Sequence, residues 1–164
     1  MMPTPAAGKF LNLDHPHQEC ITAAITAAEK LCQRRGQRLT PLRRRILELI
    51  WSGHSPIGAY AILEMLQKEG RAAPPTVYRT LDFLLAQGLI HRIASLNAFA
   101  GCSWPGKPHD GQFLICDSCH VLLELDDRKV AAAIEGSAQS ADFSIQQQTV
   151  EILGRCPRCR QAEE

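Results

Sequence analysis

Two Cys-x-x-Cys pairs, Cys116-Asp117-Ser118-Cys119 and Cys156-Pro157-Arg158-Cys159, constrain this chain more than any other feature. A two-residue spacer lets two thiolates turn onto one cation. Four thiolates around a tetrahedral ion make a closed, structural zinc site. The 36 residues between the pairs leave room for a helix and strands, so the metal is expected to staple the ends of a domain rather than a compact finger. Cys116 to His120 also spells the c-type haem attachment motif, but that chemistry needs export and leaves the second pair unexplained. A redox dithiol is the other alternative, because zinc thiolates can be oxidised. The chain has seven cysteines, an odd number, so they cannot all pair internally, and the pattern favours metal over a disulfide framework.

The net charge of +1 hides an asymmetry. Residues 1–93 carry 12 Lys and Arg against 7 Asp and Glu, whereas residues 94–164 carry 6 against 10. A basic half suited to phosphates beside an acidic, cysteine-rich half suggests two tasks in one chain. No apolar run approaches the ~20 residues of a membrane helix. The stretch Met1 to Asp14 lacks the apolar core of a signal peptide. A cytoplasmic protein is the expectation.

The apolar periodicity marks four short helices. Ile21, Ala24, Ile25, Ala28, Leu31 and Cys32 form the first, ended by Gly36. Thr40-Pro41 caps the second, with Leu42, Ile46, Leu49 and Ile50 inward. Ser55-Pro56 opens a third, with Ala59, Ile62, Leu63 and Leu66 inward, and Pro74-Pro75-Thr76 opens a fourth, closed by Gly88. Strands Leu89 to Ala94 and Asn97 to Cys102 follow. This is the element order of a winged helix-turn-helix domain. Beyond a Pro- and Gly-bearing loop, Phe113 to Cys116 and Val121 to Leu125 read as strands around a cysteine knuckle. Asp126 to Ser137 reads as a helix with Val130, Ala133 and Ile134 inward, and Phe143 to Ile145 and Thr149 to Leu153 as further strand. The fold class is therefore α+β: a flexible arm over 1–17, a winged-helix domain over 18–98, a hinge over 99–111 and a C-terminal α/β domain with the four-cysteine site over 112–164.

With Val77, Leu81, Leu84 and Leu85 buried, Arg79 points away from the core and Tyr78 lies on the flank of the fourth helix. Thr76, Tyr78 and Arg79 sit in its first turns, where a recognition helix reads base edges. Arginine suits guanine O6 and N7. Arg43, Arg44 and Arg45 on the second helix are placed to reach the DNA backbone. A solvated helix face is the bland alternative.

Here a resemblance becomes specific. Pro75-Thr76-Val77-Tyr78-Arg79-Thr80-Leu81, followed by Leu89-Ile90-His91, resembles the recognition helix and first wing strand of the ferric uptake regulator superfamily. Arg38-Leu39-Thr40-Pro41 with Arg43 matches the start of that family's second helix, and the two cysteine pairs match its structural zinc site. The resemblance spans roughly residues 20 to 160. It implies a winged-helix domain, a hinge, a C-terminal dimerisation domain, a homodimer on palindromic operator DNA, and metal-dependent repression of uptake genes. It also suggests a DNA contact for Tyr60, whose alternative is packing against the fourth helix.

The resemblance further implies a second metal at the hinge, for which His91, Cys102, His109 and Glu124 are the candidates by position. Two imidazoles, a thiolate and a carboxylate suit zinc, and the thiolate argues against a ferrous site. This is similar to the zinc-sensing branch, with two zinc ions per subunit, one structural and one regulatory. An iron- or peroxide-responsive regulator is the alternative within the family. A zinc-stapled interaction module and a zinc hydrolase are the alternatives outside it. A hydrolase needs an open zinc position and a general base, and the zinc deaminase motif order is missing.

Other residues carry weaker readings. Cys32 is expected in the core. Cys20, His15 and His17 could scavenge metal. His54 is expected solvated in a turn, His120 solvated beside Cys119, and Trp51 and Trp104 as packing. Phe83 falls near the outward face of its helix, with wing contact as its one suggested use.

Overall fold

The computed structural model describes residue 10 and residues 17–70 and 73–162. The arm expected over 1–17, with His15, lies outside these residues except for Phe10 and His17. Among the described residues no helix is long and apolar enough to cross a membrane.

The N-terminal half packs α1 (His17–Arg34), α2 (Pro41–Trp51), α3 (Ala59–Lys68) and α4 (Pro74–Ala86) around one aliphatic core. Helices this short are marginal alone, so shared burial holds them. Ile25, Ala28, Leu31 and Cys32 of α1 meet Ile46, Leu47, Leu49 and Ile50 of α2, with Ile62, Leu66, Val77, Leu81 and Leu84 closing the other side. Cys32 is thus a core residue. The Thr40 hydroxyl accepts from the Arg43 amide at 3.4 Å, and Pro41 takes the first turn, where no donor is needed.

The third helix begins later than Ser55-Pro56 suggests. Ile57 and Phe99 exchange two backbone hydrogen bonds of 2.9 Å, so this segment is an extended bridge to the wing, and Gly58 caps the helix. The wing itself is β1 (Ile90–Ile93) paired antiparallel with β2 (Ala98–Gly101). A single 3-10 turn, Ala94–Leu96, joins them, closed by Asn97 in the left-handed region. Trp51 packs against Gly101, where a Cβ would come within 2.1 Å of the indole.

The C-terminal half is a three-stranded sheet in the order β4-β3-β5, from β3 (Gly111–Cys116), β4 (Leu122–Leu125) and β5 (Thr149–Gly154). β3 runs antiparallel to β4 and parallel to β5, and α5 (Arg128–Ser140) carries the crossover that parallel pairing demands. A last short helix, α6 (Pro157–Gln161), has no counterpart in the apolar periodicity. Phe143 to Ile145 is not a strand. The Phe143 amide instead closes the end of α5 on the Ala138 carbonyl at 2.9 Å, just after Asp142 in the left-handed region, and the segment runs on as irregular chain with Phe143 66% exposed. Val130 and Ile134 are half-buried but Ala133 is exposed, and no residue of α5 is fully buried within one chain.

The sheet packs on the wing. Phe113 and Ile115 of β3 share a small core with Ile93 of β1 and Ala100 of β2. The Leu122 amide donates to the His54 carbonyl at 3.0 Å, and the Ser55 hydroxyl to the Cys119 carbonyl at 3.3 Å. His54 is therefore half-buried rather than solvated, its ring 4.5 Å from that of His17.

Gly101→Ala is expected to lower the melting temperature, because Trp51 must move from its seat, an overpacking cost of about 1–3 kcal/mol. Gly136→Ala on the open side of α5, where an added Cβ meets nothing within 4 Å, is expected to be neutral or stabilising. Differential scanning calorimetry of the pair checks the contrast.

Candidate metal centres and nucleic-acid face

Parallel pairing builds the first centre. β3 and β5 end together, with Cys116 opposite Gly154, so each strand delivers a cysteine pair to the same end of the sheet. After Cys116 the chain doubles back: the His120 amide donates to the Cys116 carbonyl at 2.9 Å, with His120 at φ 57°. On the other strand Cys156 caps α6, its sulfur accepting from the Cys159 amide at 3.5 Å. The sulfurs of Cys116, Cys119, Cys156 and Cys159 all lie within 4.8 Å of one another, and no disulfide forms among the described cysteines. Cys119 and Cys156 are 3.7 Å apart at sulfur. A tetrahedral ion with ~2.3 Å bonds separates its thiolates by about 3.8 Å, so the set fits zinc. Burial pushes the Cys116 thiol up, but the amides of Cys156, Cys119 and Ser118 outweigh it and bring it down to about 6. Cys159, hydrogen-bonded to Cys119 and Cys156, is pushed up to about 12.

The second cluster joins the two halves. His91 comes from β1, Cys102 from the end of β2, His109 from the loop before β3, and Glu124 from β4, with all four donor atoms within 4.8 Å. The Cys102 amide is anchored to the Leu89 carbonyl at 3.0 Å. Glu124 is 5% exposed, which removes the solvent-facing alternative. One of its oxygens lies 2.6 Å from His91 Nε2 and 2.9 Å from His109 Nε2, and the other accepts from the Ser103 amide at 2.7 Å. His109 Nδ1 faces the Lys107 carbonyl at 2.8 Å, which can only accept, so that nitrogen carries the hydrogen. On the other side of the ring, the Nε2 that a metal would use lies 2.9 Å from a Glu124 oxygen and 3.3 Å from the His91 Nε2. Two imidazole nitrogens, a thiol sulfur and a carboxylate oxygen gathered in this way suit a cation. The 3.3 Å separation matches the ~3.3 Å expected of two nitrogens on tetrahedral zinc. Cys102 Sγ lies 3.5 Å from His109 Nε2. Burial, then the Glu124 charge, pushes its thiol up to about 12. Burial also pushes the Glu124 carboxyl up, but the His91 hydrogen bond and charge, the Ser103 amide and the His109 charge hold it below the usual range. Trp104 packs its ring 5.8 Å from His109. His91 and His109 also line a cleft of about 680 Å³ between α4, β1 and the loop.

On the helical half, Tyr60 is 80% exposed, Tyr78 is 44% exposed and Arg79 is exposed, while Thr76 is half-buried and Val77 fully so. Tyr60 lies in the first turn of α3, and Thr76, Tyr78 and Arg79 lie in the first turns of α4. Arg43 lies over the Phe83 ring at 3.4 Å and donates to the Arg38 carbonyl at 2.6 Å, which is what Phe83 does; it is not a wing contact. Arg44 pairs with Glu29, and Arg45 with Glu69 and Glu48.

Sequence reasoning missed Glu151. It lies in the middle of β5, yet its carboxylate accepts from the Ala94 and Ser95 amides of the wing turn at 2.7 and 2.9 Å. A carboxylate between Val150 and Ile152 in a strand was the one available signal.

A model of the ferric uptake regulator family matches residues 34–153. The zinc uptake regulation protein of Escherichia coli strain K12 is 36% identical over 141 residues, covering 85% of this chain and 82% of that protein. A crystal structure of holo XcZur, 43% identical, superimposes with a TM-score of 0.78 over 85% of this chain and 98% of its own, whereas its apo form, 42% identical, reaches 0.52. A structure of a zinc uptake regulator complexed with zinc and DNA matches at 0.79 and 34% identity, over 92% of this chain and 99% of its own.

Ligation needs a thiolate, and Cys102 is protonated near neutrality because its thiol is pushed up to about 12. Filling the mixed centre is therefore expected to release that proton. Apparent zinc affinity should rise by about tenfold per pH unit between pH 7 and 9. Calorimetric titrations in buffers of different ionisation enthalpy check this; an affinity flat with pH would be incompatible with Cys102 as a ligand.

Proposed function

The chain belongs to the ferric uptake regulator family, and from that premise we propose that it is a zinc-responsive transcriptional repressor which binds operator DNA when zinc is replete and controls zinc uptake genes. The observation that carries this reading is the donor set of His91, Cys102, His109 and Glu124, drawn from both halves of the chain. The higher similarity to the holo than to the apo form of one relative, at nearly equal identity, supports a metal-competent arrangement. On this reading residues 18–98 are the DNA-binding domain, 99–111 the hinge and 112–164 the dimerisation domain.

Two zinc ions act per subunit. Cys116, Cys119, Cys156 and Cys159 hold the structural ion, whose binding energy becomes folding energy. His91, Cys102, His109 and Glu124 hold the regulatory one, which supplies a cross-link between wing and sheet. Glu124 orients both imidazoles, the Lys107 carbonyl keeps His109 in the tautomer that offers Nε2, and the Ser103 amide holds Glu124. The open sides of α5 and β5, with Ile152 48% and Leu153 55% exposed, support a homodimer. A twofold dimer sets the spacing of two α4 helices against a palindromic operator. Thr76, Tyr78 and Arg79 read bases, and Tyr60, Arg43 and Arg44 approach the backbone. The protein works in the cytoplasm as a regulator without enzymatic activity.

Three measurements test this. Operator mobility shifts, titrated with zinc and with ferrous iron, are expected to respond to zinc; a response to iron alone would favour an iron- or peroxide-responsive regulator. Cys102→Ser and Glu124→Gln are expected to weaken the second zinc by at least about 100-fold, more than the loss of an outer partner, while one zinc per chain remains. A Cys102→Ser protein with unchanged zinc dependence on operator DNA would sink the model. Arg79→Ala is expected to cost about 1–3 kcal/mol and to relax preference at one base position, read by competition with operator variants.

A further inference from the structure

The sheet presents one row of three side chains to the wing. Phe113 on β3 pairs with Glu124 on β4 and with Glu151 on β5, so the three share a face. Glu124 meets His91, and the His91 ring sits 5.1 Å from that of Phe113. At the other end of the row, Glu151 uses both oxygens on two successive amides of the wing turn, Ala94 and Ser95, 57 and 56 residues away in sequence. Carboxylate-to-amide bonds of this kind are short and stronger than neutral ones. β1 is thus gripped by the sheet at two points, at His91 through Glu124 and just past its end through Glu151. Between them Ile93, fully buried, packs on Phe113 and Ile115.

We propose that Glu151 is a positioning residue for the regulatory zinc centre: a metal-independent latch that holds the wing turn on the sheet and so brings His91 within reach of Glu124 and His109. The inference rests on the reading of His91, Cys102, His109 and Glu124 as that centre. Of the two grips, only the one at His91 answers to metal. The other is made by the chain alone, and it lowers the ordering left for the metal to impose. A ligand whose binding arrangement is only fractionally populated binds more weakly by that fraction. Releasing the latch lets the wing turn drift, lowers that population, and raises the zinc concentration at which the protein responds. None of the four donors is altered.

The test uses the full-length protein. Zinc affinity of the second site is measured by competition with a chromophoric chelator, for the parent, Glu151→Gln, Glu151→Ala and Glu151→Asp. The amide side chain of Glu151→Gln keeps the size but loses the charge and one acceptor. It is expected to weaken the second zinc about five- to tenfold with the stoichiometry unchanged at two, within the usual range of coupling between sites. Glu151→Asp, which keeps the charge on a shorter stem, should recover part of the loss. Hydrogen exchange at the Ala94 and Ser95 amides should quicken in Glu151→Gln. Should Glu151→Ala fail to fold, the isosteric Glu151→Gln protein carries the measurement. A second-site affinity in Glu151→Gln within about twofold of the parent overturns the latch. If Cys102→Ser leaves that affinity intact, it is the assignment of the centre that falls, whatever Glu151 does.

Discussion

Parallel strands cannot be joined by a tight turn, and this rule organises the C-terminal half. The pairing of β3 with β5 forces the crossover through α5. In return it makes both strands end on the same side, so cysteines 40 residues apart, Cys116 and Cys156, become neighbours, the Cys156 amide donating to the Cys116 sulfur at 3.4 Å. The same register aligns Glu124, Phe113 and Glu151 on the face turned to the wing. A slip of one residue would turn that row to the opposite face and separate the two knuckles.

The two halves achieve order by different means. Four short helices enclose a continuous aliphatic core, and hydrophobic burial accounts for them. The sheet has no such core. Its buried apolar side chains are shared with the wing or gathered around the cysteines, while α5 and much of β5 stay open. A unit this thin relies on metal and on association with other surfaces. The mixed donor cluster sits where the thin unit meets the helical one, beside the small core of Ile93, Ala100, Phe113 and Ile115.

What could be read from the sequence follows the range of the forces involved. The cysteine pairs are local patterns with a fixed chemistry, and the helices repeat every three or four residues, so both were legible. Thr40-Pro41 announced the second helix because capping is a contact between near neighbours. Ser55-Pro56 misled because Ile57 answers to Phe99, 42 residues on. Phe143 to Ile145 has strand-like residues, but the Phe143 amide is taken by the Ala138 carbonyl at the end of α5. The inward face expected for α5 assumed burial within one chain. His91, Cys102, His109 and Glu124 were reachable only through family resemblance, since each alone reads as an ordinary wing, loop or strand residue. Glu151 escaped because its partners are backbone amides, which carry no side-chain signature.

Two imidazoles, one thiol and a single buried carboxylate would, as a metal centre, also set which ions are refused. Magnesium asks for about six oxygens in an octahedron and calcium for six to eight, often carboxylates and carbonyls. The cluster offers one carboxylate, with one oxygen turned to the histidines and the other held by the Ser103 amide. The cell's most plentiful divalent ions would have to shed most of their water here and recover little. As a metal centre, these four residues would favour zinc over both ions through the poverty of their oxygen ligands.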